Sequence, residues 1–153
     1  MNYTLQITIN VPREVFIEKM DNLDNLKHWQ KGLKKIVPIS GASGQEGSKT
    51  KLSYEINKRE MEMVETVITR KMPEEFHATY DTQGVHNIQK NYFIDNQDNT
   101  TTWRSETEFK FSSFGLRVLA FFMPKVFKKQ SLKYMNDFKA FAEEGKSVLE
   151  KEV

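Results

Sequence analysis

The chain contains no cysteine. That absence removes disulfides, thiolate zinc sites and cysteine nucleophiles together, and it fits a reducing compartment. Histidine is nearly as scarce. His28, His77 and His86 are scattered, without a His-x-x-x-His pair, and a hairpin that set His77 beside His86 would still offer only two ligands. No metal and no cofactor is therefore expected. Charge of one sign is also lacking: the net value is only +2, too little to attract nucleic acid through a global field. The lysines are not interleaved with aromatics in the manner of single-strand binders. The apolar tract at 116–123 is far shorter than the ~18 residues of a spanning helix. Met1-Asn2-Tyr3-Thr4 shows neither the basic start nor the apolar core of a secretory signal. These absences lead to an expectation of one soluble, cytoplasmic domain over 1–145, with a tail over 146–153 that frays and an oligomeric state left open.

What is present argues for a real core. A chain of 153 residues fits a single domain. Eleven Phe, five Tyr and two Trp speak against disorder despite a mean hydropathy of −0.64. Leu5, Ile7, Ile9 and Val11 alternate with polar residues as in a half-buried strand. Pro12 suits the first position of a short helix carrying Val15, Phe16 and Met20, and a second short helix runs to Trp29 and ends at Gly32. Strand readings follow at 33–39 and, around Leu52, Tyr54 and Ile56, at a third position, with tight turns at Asn57-Lys58, Met72-Pro73 and Gln83-Gly84. Trp103, Ser105, Thr107, Phe109 and Phe111 share one face of the clearest alternation in the chain.

The last third changes period. Ala120, Met123, Phe127, Tyr134, Phe138, Phe141 and Ala142 recur at helical spacing between Gly115 and Gly145, with Pro124 expected to kink the helix or split off its first two turns. The order is strand, two short helices, about six strands joined by short loops, and a long helix. That order predicts an α+β fold in which a curved antiparallel sheet grips the C-terminal helix.

Val11-Pro12 after the first strand, Asp21 and Trp29 around the second helix, the glycine-rich turn 40–47, the Met72-Pro73 turn and the Asn99-Thr100 hairpin stand in the order of a known pattern. With its terminal helix, the chain resembles the SRPBCC superfamily: START-like lipid-transfer domains, polyketide cyclases and dehydratases, and birch-pollen-allergen-like proteins. The family pattern usually has Gly-Thr where this chain has Asn99-Thr100. The resemblance implies a helix-grip fold, a cavity between sheet and helix for apolar or amphipathic ligands, and a glycine-rich turn at the cavity mouth. It implies no single function.

Several residues could carry chemistry. Gly44-Gln45-Glu46-Gly47-Ser48-Lys49-Thr50 loosely resembles a phosphate loop, but Lys does not follow Gly and a strand follows instead of a helix. Glu65 shares a strand face with Met61, Met63 and Val67, while Val64, Thr66 and Ile68 form the other; periodicity alone does not choose which faces inward. An inward Glu65 would pair, shift its pKa or bind something polar. Tyr54, Tyr80, Ser105 and Thr107 would supply hydroxyls to the same space, or satisfy one another within a strand-lined core.

The leading reading is a non-enzymatic carrier of a small hydrophobic or amphipathic molecule. Its site comprises Tyr54, Met61, Met63, Glu65, Tyr80, Trp103, Ser105, Thr107, Phe109, Ala120, Met123 and Phe127. The second is a cyclase/dehydratase-like enzyme with Glu65 or His86 in proton transfer. The third is an interaction module using residues 116–123 as a sticky surface. Transient membrane contact is a further expectation: Phe121 and Phe122 dip into lipid while Arg117, Lys125, Lys128, Lys129 and Lys133 meet anionic headgroups, joined by Lys27, Lys31, Lys34 and Lys35 if these share that side. In this reading the segment 115–124 and the turn 41–47 form a mobile rim.

Overall fold

Strong alternation in the first and last strand segments decides the architecture, because the two pair with each other. In the computed structural model, which describes residues 1–152 and leaves out the side chains at 119, 122, 151 and 152, β1 (Asn2–Ile9) lies antiparallel to β7 (Thr101–Phe111). Between them run α1 (Arg13–Met20), a short 3-10 turn, α2 (Leu26–Trp29), β2 (Leu33–Ser40), β3 (Lys49–Ile56), β4 (Arg59–Lys71), β5 (Glu75–Thr82) and β6 (Val85–Asp95). The seven strands form one sheet in the order β1-β7-β6-β5-β4-β3-β2, every neighbouring pair antiparallel. Consecutive strands from β2 to β7 are hairpin neighbours, as their short loops predict. Only β1 is out of sequence.

The turns explain the register. Asn57 and Lys58 both adopt left-handed φ, 52° and 64°, the geometry of a two-residue hairpin whose twist matches its strands. Gly32 has φ 88°, and a Cβ there would stand 2.7 Å from the Glu55 carbonyl oxygen, so this turn admits glycine alone. Pro12 caps α1 from just outside the helix, its carbonyl accepting from Phe16 N–H at 2.9 Å.

The C-terminal helix is indeed divided. α3 (Phe114–Phe122) opens on Ser113, whose hydroxyl accepts from Leu116 N–H at 3.2 Å, and α4 (Pro124–Glu144) restarts with Pro124 in its first turn. A proline has no N–H to give the preceding turn, so the break falls there. α4 crosses the concave face and is tied to β1 by Lys139 Nζ donating to the Thr8 carbonyl at 2.5 Å and Asn10 N–H donating to Glu143 at 2.8 Å.

One end of the space between sheet and helix is filled. Phe138 from α4 is fully buried, with its ring 4.9 Å from Phe16, 5.1 Å from Trp29 and 5.6 Å from Trp103. Such pairs add about 0.5–1.5 kcal/mol each beyond the area they bury.

Beyond α4 the chain turns back on the protein. Gly145, at φ 68°, reverses the chain, and Ser147 and Val148 are buried against α2, with Ser147 Oγ 2.9 Å from His28 Nδ1. The left-handed cap aims the chain back at the protein rather than into solvent. Among the described residues, no helix is long and apolar enough to cross a membrane.

Candidate functional site

Period two along each strand places one row of side chains across the middle of the concave face. Phe109 on β7 pairs with Asn87 on β6, Asn87 with Tyr80 on β5, Tyr80 with Glu65 on β4, and Glu65 with Thr50 on β3. The adjoining row runs Thr107, Gln89, Ala78 and Val67. Val67 and Ala78 are buried, which sets this face inward and Glu65 with it. The register shift in β4 falls between Val67 and Thr69, beyond Glu65, and so does not return it to solvent.

The carboxyl is held from one side only. Tyr80 donates its hydroxyl to Glu65 Oε2 at 2.8 Å, whereas Oε1 receives no hydrogen bond from the described residues. Burial raises the Glu65 pKa, partly offset by the Tyr80 bond. Tyr80 is pushed well up by burial and then by the neighbouring Glu65 charge. Tyr54, buried on β3, gives its hydroxyl to Gln30 Oε1 at 2.5 Å; its pKa is raised by burial, then by Tyr134 and Glu65. Tyr134 from α4, also raised by burial, lies beside Tyr54, so Tyr80 and Tyr54 neighbour the acid and Tyr134 stands behind Tyr54.

The structure separates the other predicted residues. Met63 packs on the Leu33, Leu52 and Tyr54 cluster together with Tyr80. Trp103 is in the filled end, its indole N–H donating to Asn91 Oδ1 at 2.9 Å. Ser105, Thr107 and Ala120 are buried. Phe109 meets Phe127 at 5.1 Å at the opposite end, where Phe111 and Tyr3 join them and the Tyr3 hydroxyl donates to the Phe127 carbonyl at 3.2 Å. Met61 and Met123 are 37% and 38% exposed. His86 is not brought to Glu65. It occupies the outer face, its Nδ1 2.5 Å from Asp81 Oδ1, because even positions of β6 point away from odd ones. Nor does His77 meet His86: its cross-strand partner is Lys90. Among the described residues no three His, Asp or Glu side chains gather as a metal site would require. Two surface depressions lie elsewhere, one of about 380 Å³ beside Tyr3, Lys90 and Glu108 and one of about 420 Å³ beside Arg13, Glu74 and Tyr92.

Sequence reasoning missed Asn87, Gln89 and Asn91, the amides that make the middle of the concave face polar. Hydropathy on β6 favours Ile88, Tyr92 and Ile94 as the inner set, yet the odd residues face inward, with Phe93 opposite Trp103. The signal that finds them is the count back from Trp103 across the 96–99 turn. Gln30 carries no such signal, since it meets Tyr54 only in the folded chain, whereas Tyr134 belongs to the helix face already legible from its spacing.

No protein-family profile matches this sequence, and no curated protein does. Solved structures do. The Zhui aromatase/cyclase from Streptomyces sp. R1128 superposes with a TM-score of 0.75 at 10% identity, covering 93% of this chain and 93% of its own. Ara h 8.0201 gives 0.73 at 10% identity over 93% and 97%. Ginseng major latex-like protein 151 from Panax ginseng gives 0.69 at 13% identity over 93% and 97%. This is the helix-grip fold. Its curved sheet and terminal helix are shared with these three proteins across nearly the full length of each chain. At such identities the helix grip speaks for the fold alone; the chemistry of the site has to be read from this chain's own residues.

Proposed function

We propose that this protein binds and carries a small amphipathic molecule in a hollow between the concave face of the sheet and α4. One observation carries the reading. Glu65 and Tyr80 keep intermediate exposure although burial is the leading cause of both their pKa shifts. Groups that are desolvated by surrounding protein yet touched by solvent-sized space line a hollow, not a close-packed interior. The polar row supplies Glu65, Tyr80 and the β6 amides for a head group, with Ser105 and Thr107 beside them. Met63, Phe109 and Phe127 supply an apolar wall for the remainder. The fold fits ligand binding and a cyclase alike.

α3 fits a surface that meets lipid during loading. Phe114 and Phe121 are 80% and 79% exposed, and Arg117, Lys125, Lys128 and Lys129 adjoin them in sequence with exposed side chains. Apolar rings beside lysines complement an anionic bilayer surface. The Phe122 side chain, expected to share this role, lies outside the described residues. Slower amide exchange over α3 on anionic vesicles is the matching measurement.

A second reading, a cyclase/dehydratase-type enzyme, draws on the Glu65–Tyr80 pair: a carboxyl whose pKa burial raises is a better proton donor and acceptor than a free one. His86 plays no part in it from the outer face.

Native mass spectrometry of freshly purified protein tests the leading reading. The expected result is a population heavier than the bare chain by one small molecule, released intact on unfolding. Bare chain alone, with no uptake of Nile red, would remove the carrier reading; release of a chemically altered molecule would favour the enzyme.

A further inference from the structure

Resting on the carrier reading above, we infer that the ligand presents an ammonium group to Glu65, so that the protein selects amphiphilic amines over fatty acids and fatty alcohols. The argument begins with an imbalance of charge. Glu65 is the acid of the central concave row, and its row neighbours Tyr80, Thr50 and Asn87 carry no positive charge. Among the described residues no Lys, Arg or His lies within ion-pair distance of its carboxyl. The basic residues on the same side of β4, Arg59 and Arg70, stand at its two ends, roughly 17–20 Å away at about 3.3 Å per residue. Arg59 is exposed, and Arg70 is engaged by Asp21 at 2.5 and 3.0 Å.

A structural carboxylate in such surroundings is normally paired or saturated with donors. Glu65 has one donor, Tyr80, and an oxygen left over. An N⁺–H suits this second oxygen, with a charge-assisted bond to Oε1. The phenol rings around it favour the same partner. Tyr80 and Tyr54 neighbour it from β5 and β3, and aromatic rings attract a desolvated cation. A fatty acid would set a second negative charge against Glu65 with no cation to offset it, whereas an alcohol would gain only an ordinary hydrogen bond.

The sign of the pH dependence follows. The ionisable groups that neighbour Glu65 are Tyr80 and Tyr54, with Tyr134 beyond Tyr54, all shifted upward and so neutral at physiological pH; the Lys133–Asp137 pair beside Tyr134 is closed on itself at 2.8 Å. Glu65 alone titrates in the site. An alkylamine stays protonated to about pH 10, so its affinity rises with pH as Glu65 ionises and then levels off. The affinity of a fatty acid falls over the same interval.

The test uses the full chain with three probes of equal length: dodecylamine, dodecanol and dodecanoic acid, each displacing Nile red at about pH 7.5. Dodecylamine is expected to bind about tenfold or more tighter than dodecanoic acid, the effect of one charge-assisted bond. Glu65→Gln is expected to abolish that preference while leaving dodecanol within about twofold. The pH profile of the unaltered protein reads the same interaction without a variant, and holds even where Glu65→Gln folds poorly. Acid binding as tightly as amine, a preference untouched in Glu65→Gln, or an amine affinity flat from about pH 5 to about pH 8 each overturns the amine assignment while the carrier reading stands. Failure of Nile red and all three probes to bind overturns both.

Discussion

At the scale of single residues, Glu65 is the position where stability and function pull apart. Its pKa is raised, with burial as the leading cause, so the folded state holds the proton more firmly than the unfolded chain. For an acid shifted upward, folding stability is greatest below the unfolded value of about 4.3 and falls as pH rises through the folded pKa. Glu65→Gln keeps the shape and removes the charge. The variant is expected to match the wild type near pH 4 and to exceed it by on the order of 1 kcal/mol above neutrality, the cost of a poorly satisfied buried group. Thermal midpoints of both proteins across that range decide it; a constant offset at every pH would mean that Glu65 does not titrate differently on folding. The identity of this residue was plain in the sequence, but its orientation was not. Met61, Met63, Glu65 and Val67 compete with Val64, Thr66 and Ile68 for the inner face on nearly equal hydropathy. The tie is broken by Ala78 and Tyr80 across the ladder.

At the scale of elements, α3 and α4 differ in what holds them. α4 buries Met135, Phe138 and Ala142, whereas α3 exposes Phe114, Val118 and Phe121. Amides at 116–123 are therefore expected to exchange faster than those at 135–142, and vesicles containing phosphatidylserine to slow them where phosphatidylcholine vesicles do not. Equal protection in both stretches, unchanged by either vesicle, would mark α3 as ordinary core. The turn at 41–47 was expected to move with this segment, but its chemistry differs. Arg70 donates to the Gly44 carbonyl at 3.3 Å and to Glu46 from its backbone at 2.9 Å, while its guanidinium holds Asp21 at the end of α1. Gly47 N–H is also bonded to the Val67 carbonyl at 2.8 Å. Three hydrogen bonds thus tie the turn to β4, and its glycines carry a left-handed backbone.

At the scale of the whole molecule, stability is concentrated at the filled end. Phe138 joins α4 to α1 through Phe16, to α2 through Trp29 and to the sheet through Trp103. Phe138→Ala is expected to cost about 3–5 kcal/mol and to lower the midpoint of thermal unfolding by roughly 10 °C for a chain of this size. A loss of less than about 1 kcal/mol would show that this cluster is not the common anchor of the three layers.

Local physics determined much of this protein. Two-residue and 3.6-residue periods, the left-handed turns and Pro124 specified which segments are strands and helices, and short loops made the consecutive strands antiparallel neighbours. The pairing of β1 with β7 spans about a hundred residues and leaves no trace in local pattern. The tertiary structure alone decided the inner faces of β4 and β6, the removal of His86 to the outer surface, the return of Ser147 and Val148 to α2, and the meeting of Tyr54 and Tyr80 with Glu65. The physical reason is common to all four. A period tells which side chains share a face, but only the element packed against that face decides which side is removed from water.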